Sequence, residues 1–300
     1  MPAPKSSEPA KKKSAAVKPV AKALRRAPAK VVKKANMAAV FPWKTVVAGL
    51  LLVLLSPFYY GYVVGFFSST WRWIFNIGAS SHYRTYKSFG IRIPTRYQIH
   101  GIDVSYAQGR IDWRKVRAMQ EDGVRVSFAF IKATEGLLTA DPYFKRNWRE
   151  AAKTGIRCGA YHYFRPKKSG LWQARFFLQN VRLESGDLPA VVDIETLDGK
   201  SPAEMRKQLK DFLLQVEAKT HVKPIIYSGL SFYKDYLQDY FEEYKLWIAH
   251  YNKEELRVSK DTNWWFWQHS ETARVNGINH TVDFDAFKGD SVAFEQFMIQ

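Results

Sequence analysis

Cysteine occurs once in this chain, at Cys158, which excludes an intramolecular disulfide framework and a cysteine-rich metal site. Cys158 lies in the apolar run "GIRCGAYHYF", where a thiol packs as a small core residue. Aromatic side chains are missing from residues 1–36, a stretch dominated by Ala, Pro and Lys. Such a stretch cannot bury enough apolar surface to offset its chain entropy, and disorder is expected there. Charge is missing from residues 45–67, "TVVAGLLLVLLSPFYYGYVVGFF". No glycine-rich loop suggests a nucleotide, and no spacing of His, Asp and Glu demands a metal, so no cofactor is expected. Acids are scarce near the start: Glu8 is the single one among residues 1–44, against 12 Lys and Arg. Of the formal net charge of +18, +11 belongs to that tail and +7 to everything after it.

Two readings of the basic tail (1–44) follow from its charge: a solvated, nonspecific arm, or attachment to anionic lipid or nucleic acid. Nucleic acid is disfavoured as a partner, because no aromatics interleave the basic residues for base stacking. The charge-free run over 45–67 is long enough, at about 1.5 Å per residue, to cross a hydrocarbon core of roughly 30 Å. Aromatics flank it at Phe41, Trp43, Trp71 and Trp73. A cleaved signal peptide has a shorter apolar region and a small-residue cleavage site, and no such site follows. A single transmembrane helix is therefore expected. The positive-inside rule then gives a single-pass membrane protein with a cytoplasmic N-terminus and everything beyond the span exported. Residues 68–97 read as a connector.

From residue 98 to 300 the pattern changes. Apolar runs of strand length alternate with amphipathic stretches. The runs are 99–105, 126–133, 157–164, 188–195, 223–228, 245–251, 264–270 and 280–287. Helical periodicity fills the early gaps, as in "DWRKVRAMQEDG" and "SPAEMRKQLKDFLLQVEAKT", and Gly123 and Gly155 read as helix ends. Strand–helix alternation with apolar strands indicates a parallel sheet, and eight strands in this length an α/β, TIM-like (β/α) barrel. The last crossovers are too short for full helices, so the barrel is expected to be irregular.

Polar residues interrupt the strand ends. The clearest case is "LPAVVDIETLDG", in which a buried-type run carries Asp193 and Glu195 two residues apart. In a strand such residues share a face, about 6.5–7 Å apart. Unpaired carboxylates are rarely buried, so the pair has partners or works in a cleft. Repulsion between them raises the proton affinity of one, which suits a general acid. Asp103, Tyr161, Tyr227, Trp247, Gln268, Asp283 and Asp285 also fall at strand ends, where barrel sites form. An acid-rich, aromatic-lined mouth suits carbohydrate, and glycoside hydrolysis needs an acid and a group that stabilises the oxocarbenium-like centre.

Residues from about 98 to 296 resemble the glycoside hydrolase family 25 lysozymes, the Chalaropsis-type N-acetylmuramidases. The resemblance rests on "HGIDVSYAQGRIDWRKV", "FAFIKATEG", "GAYHYFRP", "LPAVVDIE", "PIIYSG", "LWIAHY", "FWQHS" and "VDFDAF", in the family's order. It implies an irregular β/α barrel that cleaves the β-1,4 bond between N-acetylmuramic acid and N-acetylglucosamine in peptidoglycan glycan strands. The family's four acidic positions fall on Asp103, Asp193, Glu195 and Asp283. Glu195 is expected as general acid. Asp193 is expected to assist the substrate's acetamido group, giving retention; inversion through a carboxylate-activated water stays open. Asp103 and Asp283 are expected to bind sugar hydroxyls or tune the acid. Tyr161, Tyr227, Trp247 and Gln268 are candidate substrate-binding residues, with core packing as the competing role. Asp285 is left outside the site as a cap or loop anchor. The other functional class is a membrane-tethered module that binds peptidoglycan without turnover.

Overall fold

The computed structural model describes residues 44, 47, 82–253 and 255–300. The expected tail and membrane span therefore fall almost wholly outside the described residues. Among the described residues no helix is long and apolar enough to cross a membrane.

A hairpin comes first, β1 (Tyr83–Tyr86) and β2 (Ile91–Pro94). Next come β3 (His100–Val104), helix α1 (Trp113–Ala118), the short β4 (Gln120–Glu121), β5 (Val124–Glu135) and β6 (Thr139–Ala140). Helix α2 (Phe144–Ala152), β7 (Arg157–Tyr163), α3 (Gly170–Asn180), β8 (Val191–Asp193) and α4 (Pro202–Thr220) follow. The chain closes with β9 (Ile225–Gly229), β10 (Leu246–Ala249), β11 (Trp264–Ala273), β12 (Val282–Phe287) and α5 (Ser291–Phe297). Local chemistry sets the helix starts. Asp112, Ser169, Ser201 and Asp290 cap α1, α3, α4 and α5 through their side chains, and Ser201 with Glu204 forms a capping box ahead of Pro202.

Eight strands close on themselves in the order β3-β12-β11-β10-β9-β8-β7-β5, with β5 returning to β3. Each of the eight apolar runs seen in the sequence supplies one of them. The barrel is parallel except around β12, which is antiparallel to both β11 and β3. This corrects the expectation of a uniformly parallel sheet. The connection from β11 to β12 is too short for a crossover, so β12 runs back the other way. Gly123 is also reassigned. Asp122 and Gly123 both have positive φ (49° and 86°) and form the two-residue turn between β4 and β5, not a helix end.

Two apolar layers result. The barrel interior holds Phe128, Phe130, Val191, Ile225, Trp247, Phe266 and Phe287, with Phe294 and Phe297 of α5 packed against them. Gly101 and Gly159 face inward; a Cβ on either would stand 2.3 or 2.5 Å from the Phe128 or Phe130 ring. Large rings thus fill the interior only because small residues oppose them. The second layer lies between the barrel and its helices. Among the described residues no crossover helix connects β11 to β12. There the β1–β2 hairpin, inside the segment read as a connector, supplies the cover. Phe89 packs edge-on against Phe284 at 5.2 Å, and Tyr83 against Trp267 at 6.4 Å. Phe89 and Ile93 are fully buried.

Candidate active site

The mouth is built where β3, β5, β7, β8 and β9 end. Asp103 is the last residue but one of β3, and its neighbour across the closing seam is Asp283. Asp283 reaches the mouth because β12 is reversed: it stands at the start of that strand, not at its C-terminal end as expected. Asp193 is the last residue of β8, in register with Tyr163 on one side and Tyr227 on the other. Glu195 lies two residues beyond the strand, so the pair is not two positions of one strand. Asp193 is buried and Glu195 exposed. All four acids named from the sequence meet at one end of the barrel, where the charges of Asp103, Asp283 and Glu195 act on one another.

Electrostatics follow from depth. Burial, then the charge of Asp283, pushes the Asp103 carboxyl well above its usual range, while a hydrogen bond from Gln268 opposes this. Burial, then the charge of Glu195, does the same to Asp193, opposed by the Lys132 ammonium. Asp283, less deep, is pushed up to about 6 by burial, then by Glu271 and Glu195. The proton that repulsion was expected to place within the D-x-E pair is thus favoured on Asp193 by burial. One oxygen of Asp193, Oδ1, is buried without a hydrogen-bond partner.

The candidate binding residues divide by depth. Gln268 is buried and donates from Nε2 to Asp103 Oδ2 at 2.6 Å. Its Oε1 accepts from the hydroxyls of Tyr227 at 2.8 Å and Tyr251 at 2.6 Å. Gln268 and Tyr227 therefore hold Asp103 from below. Trp247 stacks on Phe130 at 4.5 Å and donates to Asp285 Oδ1 at 2.8 Å. With its ring 2% exposed it belongs to the floor. Tyr161 is buried beside the acids, whose charges, after burial, push its hydroxyl far up. Asp285, set aside in the sequence, is fully buried on the same inner face of β12 as Asp283.

Sequence reasoning assigned no role to a group beside Glu195. Tyr163 has its ring 4.7 Å from Lys132 Nζ and 4.9 Å from the Arg165 guanidinium. Both cations are tied to one carboxylate, Glu135, at 2.8 Å from Lys132 and 2.6 Å from Arg165. Burial, followed by the charge of Glu195, pushes the Tyr163 hydroxyl up to about 12. The available signal was Lys132 and Glu135 in "FAFIKATEG", two charges at the end of a buried strand. Among the described residues no cluster of His, Cys, Asp and Glu could hold a metal ion.

The profile of the family described as Glycosyl hydrolases family 25 matches residues 102–278. The uncharacterized protein YegX of Escherichia coli (strain K12) is 46% identical over 255 residues, covering 85% of this chain and 93% of that protein. Lysozyme M1 of Streptomyces globisporus is 36% identical over 207 residues, covering 64% of this chain and 69% of that protein. Among solved structures, a family 25 glycosyl hydrolase from Bacillus anthracis superposes with a TM-score of 0.63 at 31% identity, covering 74% of this chain and 100% of that one.

Proposed function

The chain belongs to the glycosyl hydrolases of family 25, and from that premise we propose that it cleaves the β-1,4 bond between N-acetylmuramic acid and N-acetylglucosamine in peptidoglycan, with Glu195 as general acid. The observation that carries the division of labour is the contrast within the D-x-E pair: Glu195 exposed to the mouth, Asp193 buried with Oδ1 unpartnered. A proton donor must reach the leaving oxygen, and reach favours Glu195 even though burial favours a proton on Asp193. The lone oxygen of Asp193 suits the N–H of a 2-acetamido group. Lys132 favours the charged form of Asp193 that accepts it.

In this scheme Glu195 gives its proton to the glycosidic oxygen as that bond breaks. The acetamido carbonyl oxygen bonds to the anomeric carbon, forming an oxazolinium ion whose N–H is held by Asp193. Glu195, now a carboxylate, takes a proton from the water that attacks the same carbon and reopens the ring. Two displacements at one carbon retain its configuration. The charge-free run over 45–67 would tether the barrel on the exported side of a membrane, next to such a substrate.

Mass spectrometry of the products that the full chain releases from peptidoglycan tests the bond cleaved; reducing-end muramic acid is expected. Glu195→Gln keeps size and hydrogen bonding but cannot act as the acid, and kcat should fall by about 10²-fold or more. Near-normal turnover would remove Glu195 from the role. Asp193→Asn should lower kcat strongly and leave substrate binding almost intact, because the oxazolinium charge exists only near the transition state. NMR of the first-formed product should show the retained anomer. An inverted one would replace this scheme with a water-activating carboxylate, Asp103 or Asp283.

A further inference from the structure

Tyr106 is 61% exposed, three residues beyond Asp103, on the loop between β3 and α1. An aromatic ring left this bare adds nothing to the core. Its backbone is nevertheless braced. Tyr106 N–H donates to Asp141 Oδ2 at 2.7 Å, tying the loop to the one that follows β6. Ser105 and Gln108 close a capping box around the turn, and Gln108 Nε2 donates to the Thr281 carbonyl at 3.2 Å, two residues before Asp283. Asp141 also accepts from Tyr143 N–H at 2.9 Å, so its carboxyl group is fixed from both sides.

The ring also has a defined place relative to the chemistry. Lys132 Nζ lies 6.0 Å from the Tyr106 ring and 4.7 Å from the Tyr163 ring, and the charge of Glu195 acts on the Tyr163 hydroxyl. Tyr106, Lys132, Tyr163 and Glu195 thus form one continuous strip along the rim, with Tyr106 at its far end. A rigid, exposed, amphipathic ring at the edge of a cleft is the type of group that anchors a ligand at small entropic cost.

We propose that Tyr106 forms a distal saccharide subsite, stacking on the apolar face of a pyranose ring beyond the two that flank the scissile bond. This rests on the glycan-cleaving function proposed above. Its effect is remote binding energy, felt only by strands long enough to reach it.

The test compares full-length wild type, Tyr106→Ala, Tyr106→Trp and Trp172→Ala on peptidoglycan glycan strands of increasing length. For Tyr106→Ala, KM on long strands should rise about tenfold, the effect typical of a truncated aromatic anchor, with kcat within about twofold. KM on the shortest strand cleaved should not move. Tyr106→Trp should restore the long-strand KM. Trp172 is 58% exposed on α3, where its ring pairs with Arg175 at 4.6 Å and is not a member of the strip, and its replacement by Ala should leave every KM unchanged. An active wild type with the same long-strand KM for Tyr106→Ala overturns the subsite. Equal rises on short and long strands also overturn it, by placing the ring at the scissile bond or in the fold. A wild type that cleaves no glycan sinks the proposed function, and the subsite with it.

Discussion

Two carboxyl oxygens in this barrel are buried with no hydrogen-bond partner, Asp193 Oδ1 and Asp285 Oδ2. Asp193 borders the mouth, where a substrate amide can satisfy it. Asp285 is fully buried, and burial followed by the charge of Asp103 pushes its carboxyl group well above the usual range. A folded-state pKa raised above the unfolded value gives stability that is complete below the unfolded pKa and lost as pH rises through the folded one. Asp285→Asn, which keeps the acceptor for Trp247 and removes the titration, should therefore raise Tm at pH 8. A gain of roughly 2–4 °C is the shift that about 1 kcal/mol gives a domain of this size. Near pH 4 the two proteins should melt together. Equal gains at both pH values in calorimetry would show that the charge of Asp285 is not the cause. The sequence disclosed all four acids of the mouth, because a carboxylate interrupting an apolar run is conspicuous. It did not disclose depth. Trp247 and Gln268 read as strand ends like Asp103, yet Trp247 is the second residue of β10 and stacks under the mouth, and Gln268 sits mid-way along β11 and holds an acid from beneath. Which layer a strand end occupies depends on register between strands, and register is a non-local property.

At the scale of elements, the eight strands were legible because each is an apolar run bounded by polar turns. The direction of β12 was not, since the alternation of "VDFDAF" reads the same either way. The β1–β2 hairpin was hidden for another reason. Its strands are four residues each, and its apolar residues are spaced among Arg, Lys and Ser. They make sense only against the uncovered face of β11 and β12. Phe89 is the center of that contact, packed on Phe284 and with its carbonyl accepting from Arg274 N–H at 2.9 Å. Phe89→Ala should cost about 3–5 kcal/mol in urea unfolding, the usual price of deleting a buried ring. A loss under about 1 kcal/mol would mean that the hairpin rests on the barrel without supporting it.

At the scale of the whole molecule the charge is divided, with +11 of the +18 ahead of residue 45 and a charge-free run directly behind it. We propose on that asymmetry that the barrel is exported and the tail is not. A reporter active only after export, fused behind Gln300, should be active in cells. A reporter active only in the cytoplasm should be silent at the same position. The reverse pattern would sink the topology while leaving the chemistry of the mouth untouched.

The seam between β3 and β12 joins Asp103 to Asp283, about 180 residues later in the chain, a separation characteristic of slow, non-local pairing. Synthesis proceeds from the N-terminus, and domains fold as units. A nascent chain that has delivered Asp103, Asp193 and Glu195 but not β12 has neither the closing seam nor the fourth acid. Its interior also lacks α5, whose two phenylalanines pack against the barrel floor. A chain cut short of β12 should therefore have neither a closed barrel nor the complete set of four acids, so the site is assembled only when the last strand has been made.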